Sequence, residues 1–158
     1  MQENEFLFEG NIHFNITLGA DEISDDALVD TAEYVYAHNF ILGLRSQYQF
    51  ELKNSGNNLL AGQAQLISFA RLVALGGHVM MLDEATSSID SITESLIQKA
   101  IGRSFEEKTV IVIAHWLSTS CHSEQILVLN QGKIAEQGNH QYSLAMNCFY
   151  SSLLTICG

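Results

Sequence analysis

Proline is absent from the chain, and basic residues are scarce. Seven lysines and arginines stand against eighteen aspartates and glutamates, which gives a formal net charge of −11. Such an acidic protein is repelled by phosphodiester backbones, so the composition disfavours nucleic acid as a partner. Nine carboxylates precede the first basic residue, Arg45. We interpret this acidic front as a solvated face in preference to a docking surface for a basic partner.

Paired cysteines and long apolar runs are also missing. Cys121, Cys148 and Cys157 are odd in number and share no paired spacing, which is typical of reduced cytosolic thiols and not of a disulfide framework. His122 follows Cys121, but no second pair would complete a metal site. No apolar stretch approaches the roughly 18 residues that a membrane-spanning helix needs. Any connection to a membrane is therefore expected to run through a partner.

Strand and helix patterns alternate along the 158 residues, which predicts a single α/β domain with a core of its own. One helix is predicted after the capping residue Ser24, with Leu28, Ala32, Val35 and Tyr36 on its apolar face. Further helices are predicted over 59–75 and from Ser91, with a loop over 53–58. Buried strands are predicted over 79–82 and 109–115. A hairpin is predicted over 125–138, with its turn at Asn130–Gly132. The segment Phe6–Gly19 is predicted to be short extended or turn structure.

The stretch Met80–Asp90, MMLDEATSSID, places two adjacent carboxylates at the end of a buried strand. Asp83 is positioned to hold Mg²⁺, and Glu84 to polarise an attacking water as a general base. Phosphate chemistry of this kind also needs a glycine-rich loop that ends in Gly-Lys-Ser or Gly-Lys-Thr. The single Gly-Lys of the chain, Gly132-Lys133, is followed by Ile134. These 158 residues therefore carry only half of a nucleotide site.

Five segments, taken in order, resemble the second half of an ABC transporter ATP-binding domain: QENEFLFEGNIHFNITLG, LLAGQAQLISFARLVA, VMMLDEATSSID, IVIAHWLST and QILVLNQGKIAEQGNH. The run Leu7–Ile16 is most similar to the exporter class. The resemblance extends from Gln2 to about His140. It implies a partial P-loop NTPase domain with a helical subdomain over about 21–75 and an α/β part over 76–158. The Walker A strand and loop are expected upstream of Met1.

The resemblance also implies roles for single residues. Glu84 corresponds to the catalytic base, and His115 to the switch histidine that faces the γ-phosphate. Gln2 corresponds to the Q-loop glutamine, which contacts the metal together with Asp83. Asp90 corresponds to the D-loop aspartate at the dimer interface, and it is also a candidate cap for the following helix.

The stretch Leu59–Gln63, LLAGQ, stands where the family has its signature motif. There the free amides at the start of a helix attract the γ-phosphate of an ATP held by the opposite subunit. The implied nucleotide-contacting residues are Leu60, Ala61, Gly62 and Gln63. Leu60 replaces the usual serine and cannot donate a hydrogen bond to phosphate. Ala64 and Trp116 replace basic residues that are common in the family.

The function implied by the resemblance is that of an exporter's ATP-binding subunit, with ATP and Mg²⁺ as cofactors. Both require a Walker A loop supplied from outside these residues, so the isolated chain is expected to be inactive. The implied partners are a second nucleotide-binding domain and transmembrane domains, which would place the chain at the cytoplasmic face of a membrane. Two alternatives remain: a non-catalytic module that docks on and modulates an intact transporter, and one half of a split ATPase domain.

The resemblance makes one further prediction about the sheet. In this family, the strand that bears the phosphate loop lies between the strand ending in the switch histidine and the next strand. We therefore expect 79–82 and 109–114 to pair, and an open edge or rearranged pairing near 125–137. An uncovered edge of this kind favours marginal stability and association.

Overall fold

The computed structural model of the chain describes residues 7–54, 56–83, 91–113, 121, 123–145 and 149–152. Its helices are α1 (Ile12–Thr17), α2 (Asp25–Tyr34), α3 (His38–Leu42), α4 (Ala61–Ala74), α5 (Ser91–Glu107) and α6 (His140–Ala145), with a 3₁₀ turn at Gln47–Gln49 and further helical residues at 149–152. Its strands are β1 (Gly10–Asn11), β2 (Glu51–Leu52), β3 (Val79–Asp83), β4 (Thr109–Ile113), β5 (Ile126–Asn130) and β6 (Lys133–Gly138).

The chain forms two compact units, Met1–Ile111 and Val112–Gly158. The mixed helix and strand content agrees with the predicted α/β class. The predicted division of the chain near residue 75 remains a prediction. No helix within the described residues has both the length and the apolar character needed to cross a lipid bilayer.

The prediction of extended structure over Phe6–Gly19 was wrong for its second half, which forms α1. Asn11 caps this helix, because its side-chain oxygen accepts a hydrogen bond from the Phe14 amide at 2.8 Å. Ile12 and Ile16, one turn apart, are both fully buried. Their burial as α1 packs against α4 outweighs the preference of β-branched residues for extended structure. Asn11 also belongs to β1, which pairs antiparallel with β2.

A buried asparagine joins α1 to α4. The Asn15 amide donates to the Phe8 carbonyl at 2.9 Å and to the Asn11 carbonyl at 3.0 Å, and its side-chain oxygen accepts from the Phe8 amide at 2.8 Å. Arg71 of α4 donates to the Asn15 backbone carbonyl at 2.7 Å and to its side-chain oxygen at 3.0 Å. Burial lowers the pKa of the Arg71 guanidinium from its ordinary value. This network fixes the position of α4 relative to α1.

We expect Asn15→Ala to lower the free energy of unfolding by about 2–4 kcal/mol, because several buried donors and acceptors lose their partner at once. Chemical denaturation monitored by circular dichroism measures this change. The matched control is Asn39→Ala, in which the asparagine is exposed and the expected loss is below about 0.5 kcal/mol. Equal losses for the two variants would contradict the structural role of Asn15.

The helices predicted after Ser24 and over 59–75 are confirmed as α2 and α4. Ser24 caps α2 by accepting a hydrogen bond from the Ala27 amide at 3.2 Å, and Leu28, Ala32 and Val35 are buried. Tyr36 departs from the predicted helical face: it lies beyond the end of α2, in the left-handed region at φ 62°. The α4 helix packs against both α1 and α2 and buries Leu66 and Ala70.

The helix predicted from Ser91 is also confirmed, as α5. It buries Ile97, Ala100 and Ile101, whereas Leu96 is only half-buried. Arg103 on α5 donates to the Tyr34 carbonyl at the end of α2 at 3.3 Å. Its guanidinium also lies 4.9 Å from the centre of the Tyr36 ring. A cation is favourable at the carbonyl end of a helix, so Arg103 links α5 to the end of α2.

The predicted pairing of 79–82 with 109–114 is confirmed, because β3 and β4 form one two-stranded sheet. The predicted hairpin is confirmed as well, with β5 and β6 antiparallel. Gln131 and Gly132 in its turn have φ of 49° and 74°, the pattern of the tight turn that suits strand twist. Among the described strands, β5 is paired with β6 alone, which agrees with the prediction of an open edge or rearranged pairing near 125–137.

Candidate functional site

The predicted site residues divide into two groups. The catalytic candidates Glu84 and His115, together with Gln2 and Asp90, lie outside the described residues. Asp83 is the last residue of β3, and the structure describes its backbone but not its side chain. The four signature-motif candidates, Leu60–Gln63, are all described and lie together at the start of α4.

The start of α4 has the geometry predicted for the signature motif. Leu60 is the residue that precedes the helix, with extended backbone angles (φ −70°, ψ 148°), and Ala61 is the first helical residue. The Leu60 side chain does not cap the helix, because leucine has no polar atom to offer the first amides. The first-turn amides and the positive end of the helix dipole can therefore face an anion.

Leu60 itself does not interact with a polar group through its side chain. It is 68% exposed and stands out from the helix start. A serine at this position would both cap the helix and donate to a bound phosphate, whereas leucine does neither. The replacement of the usual serine by Leu60 therefore lies at the surface, where it changes the contacts available to a ligand without disturbing the core.

Gln63 has a role that the sequence reasoning missed. Its side-chain oxygen accepts a hydrogen bond from the Leu60 amide at 3.2 Å, so the side chain turns back toward the helix start. The signal was available in the sequence, because a glutamine three residues after the capping position is half of a capping box. One amide of the helix start is thereby engaged internally, and those of the following residues are left to a ligand.

The first turns of α4 are anchored by packing against the core. Gly62 and Ala64 are buried, and Ile67 is fully buried one turn further along. Ala64 stands where a basic residue is common in the family, and its burial explains why a small apolar side chain fits here. Together with the Arg71–Asn15 bonds, this packing holds the first turn of α4 in a defined position.

The end of β3 leads into the second half of the predicted site. Met80 is 1% exposed and Leu82 packs against the core, so the strand is anchored on one face up to Asp83. α5 begins at Ser91, so residues 84–90 lie between β3 and this helix in the sequence. Among the described residues, no three side chains of histidine, cysteine, aspartate or glutamate form a group that could hold a metal ion. The predicted donors, the Asp83 carboxylate and the Gln2 amide oxygen, are the hard oxygen ligands that suit Mg²⁺.

Comparison with known proteins finds relatives that match nearly the whole chain. The chain is 40% identical over 151 residues to the uncharacterized ABC transporter ATP-binding protein YfiC of Bacillus subtilis. The matched region covers 96% of this chain and 25% of YfiC. It is 37% identical over 153 residues to ABC transporter B family member 2 of Dictyostelium discoideum, covering 97% of this chain and 11% of that protein. No family model matches the chain.

The fold is similar to that of a solved bacterial Atm1-family ABC exporter with ATP bound. The TM-score is 0.86 at 33% sequence identity, and the match covers 97% of this chain and 27% of that one. The chain thus spans about a quarter of the length of YfiC and of this exporter, and it matches the C-terminal part of its relatives.

Proposed function

Because this chain belongs to the ATP-binding proteins of ABC transporters, as the C-terminal part of an exporter-type ATPase domain, we propose that it supplies one half of a transport-coupled ATP site. The observation that carries the proposal is the uncapped start of α4 at Leu60–Gln63. It offers backbone amides and the helix dipole to an anion at the position of the signature motif.

The proposed roles follow from the chemistry of each group. Asp83 and Gln2 would hold Mg²⁺, which in the family neutralises phosphate charge when bound. Glu84 would accept a proton from the attacking water, and His115 would donate a hydrogen bond toward the terminal phosphate. Asp90 would contact the partner domain across the dimer interface.

The rest of the site would come from outside these 158 residues. The phosphate-binding loop with its lysine belongs to the preceding part of the domain, and the signature helix would face an ATP molecule held by a second nucleotide-binding domain. Transmembrane domains would convert the closure of this dimer into export. The whole assembly would then lie at the inner face of a membrane, with this chain attached through its transmembrane partner.

Leu60 supports a second candidate function, a non-catalytic module that docks on a transporter and modulates it. Without the signature hydroxyl, the helix start still attracts an anion but makes one contact fewer. A hydrogen bond to a charged group is worth about 1.5–3 kcal/mol, so its loss alone slows turnover without abolishing it. We therefore favour a slowed ATPase half over a purely non-catalytic module, whether the other half is in the same polypeptide or in a separate one.

The experiment uses a chimera, defined as YfiC in which this chain replaces the matched C-terminal segment. We expect Leu60→Ser to raise the ATPase rate of the chimera by about tenfold or more, because the new hydroxyl donates to phosphate in the transition state. Steady-state phosphate release measures the rate. The matched control is Leu75→Ser, at the opposite end of α4, where the leucine is 50% exposed and the rate should not change.

Two results would count against the proposal. Equal ATPase rates for the parent chimera and its Leu60→Ser variant would show that a hydroxyl at position 60 makes no contact with phosphate in the transition state, contrary to the placement of the signature motif at this position. A chimera that hydrolyses no ATP with either residue would support the non-catalytic alternative.

A further inference from the structure

The helix α2 ends in a Schellman motif that has a tyrosine where glycine is usual. The Ala37 amide donates to the Ala32 carbonyl at 2.7 Å, and the Tyr36 amide donates to the Glu33 carbonyl at 3.0 Å. In this motif the residue just beyond the helix adopts the left-handed conformation, which glycine and asparagine adopt most readily. Tyr36 adopts it at φ 62°. A large aromatic side chain is thus kept at a position whose backbone conformation does not favour it.

Arg103 of α5 contacts this tyrosine and the last turn of α2. Its guanidinium lies 4.9 Å from the centre of the Tyr36 ring and 5.7 Å from the centre of the Tyr34 ring, both within the range of cation–π attraction. It also donates to the Tyr34 carbonyl at 3.3 Å, at the end of the helix where the dipole favours a cation. We name Arg103, Tyr34 and Tyr36 the clamp.

The arginine of the clamp contacts aromatic rings in a chain that is rich in carboxylates. Arg103 is one of seven basic residues beside eighteen acidic ones, and it is exposed. None of the carboxylates that the structure describes forms an ion pair with it. The described interactions of this side chain therefore all run from α5 to the end of α2.

The clamp joins the elements that carry the two parts of the predicted site. α5 follows β3, which ends at Asp83, and α2 packs against α4, which begins at the signature position Leu60–Gln63. We propose that Arg103 is a positioning residue: it fixes the orientation of α2 and α4 relative to α5, and so holds the start of α4 in place for its phosphate. The role of the start of α4 rests on the proposed function, whereas the clamp itself does not.

Distances between spin labels on α2 and α5 test the clamp in the 158-residue chain without nucleotide. The labels are attached at Asp26→Cys and Lys99→Cys, both exposed positions, after the three native cysteines are replaced by serine. We expect a narrow distance distribution for the parent and a broader one for Arg103→Ala. An exposed cation–π contact and a charge at a helix end together favour the clamped state by about tenfold.

Substitutions at Tyr36 separate the clamp from general stability. Tyr36→Phe keeps the ring and should give the parent distribution. Tyr36→Asn removes the ring but suits the left-handed backbone, so it should broaden the distribution without the fall in thermal midpoint expected for Arg103→Ala. Arg103→Ala should add less in the Tyr36→Asn background than in the parent, because the two substitutions remove a shared contact. The matched control is Arg45→Ala, at another exposed arginine, which should behave as the parent does.

The chimera tests the positioning role of Arg103. We expect Arg103→Ala to lower kcat for ATP hydrolysis by about threefold or more and to leave the KM for ATP unchanged, because the phosphate loop that binds ATP comes from YfiC. Arg103→Lys keeps a cation near the rings and should restore part of the rate. Steady-state phosphate release over a range of ATP concentrations measures both constants.

Two results would overturn the proposal: equal distance distributions for the parent and Arg103→Ala chains, or a broadened distribution together with an unchanged kcat in the chimera. A chimera that hydrolyses no ATP would contradict the proposed function instead. The distance distributions would then still decide whether Arg103 clamps α2 to α5, so the two can fail separately.

Discussion

Replacing Glu84 by glutamine is expected to lower the ATPase rate of the chimera by about 10²- to 10⁴-fold, the contribution of a positioned general base. Glutamine preserves the size of the side chain and its capacity to accept one hydrogen bond, but it does not take up a proton from water at neutral pH. Because the base acts in the transition state, the affinity for ATP should change little. Single-turnover hydrolysis and nucleotide binding, measured on the same preparation, separate these two effects.

The control for this experiment is Glu94→Gln, which changes a carboxylate in the first turn of α5 without altering the predicted site. It should leave the ATPase rate within about a factor of two, as expected for surface substitutions. A Glu84→Gln chimera that hydrolyses ATP at the parent rate would show that another group acts as the base. A loss of rate in both variants would indicate a general effect on the fold.

The 158-residue chain by itself is expected to bind Mg-ATP no more tightly than about 1 mM, which corresponds to a binding free energy of roughly −4 kcal/mol. A helix start contributes only about 0.3–1 kcal/mol toward an anion at an exposed position. The remaining groups predicted to face the nucleotide, Asp83, Glu84 and Asp90, are carboxylates. Without a phosphate loop to surround the β- and γ-phosphates, repulsion offsets the attraction of α4.

Titration calorimetry of the isolated chain tests this expectation, and the chimera under the same conditions provides the comparison. The chimera should bind at least about tenfold more tightly, since it adds the loop and its lysine. Micromolar binding by the isolated chain would contradict the prediction, and it would mean that these residues contain a phosphate site of another kind.

Local sequence signals predicted much of the secondary structure correctly. Ser24 caps α2, the Asn130–Gly132 turn closes the hairpin, and the apolar runs before Asp83 and after Lys108 form β3 and β4. Each of these features depends on a few adjacent residues, because capping, turn formation and alternation are short-range effects. The same holds for the position of LLAGQ at the start of α4, the one part of the predicted site that the structure describes in full.

Features that depend on distant contacts could not be predicted in this way. The segment 12–17 has the composition of a strand, yet it forms α1 because Ile12 and Ile16 are buried as the helix packs on α4. The Asn15–Arg71 bonds connect residues 56 positions apart. No local sequence pattern indicates such a pair, because its contribution to stability comes from burying the two groups together.

The order of motifs along the chain by itself determined the family and the identity of the candidate residues, because each type of chemistry needs particular side chains at a particular spacing. Only the tertiary structure decided that Leu60 stands exposed at an uncapped helix start and that Gln63 turns back to its amide. It also decided that Val79, Met81 and Ile111 are about half exposed or more, although their strands have the apolar composition of buried ones. The reason is that exposure is a property of packing: the same apolar run predicts a strand whether its second face is covered or open, and only the neighbours in space distinguish the two.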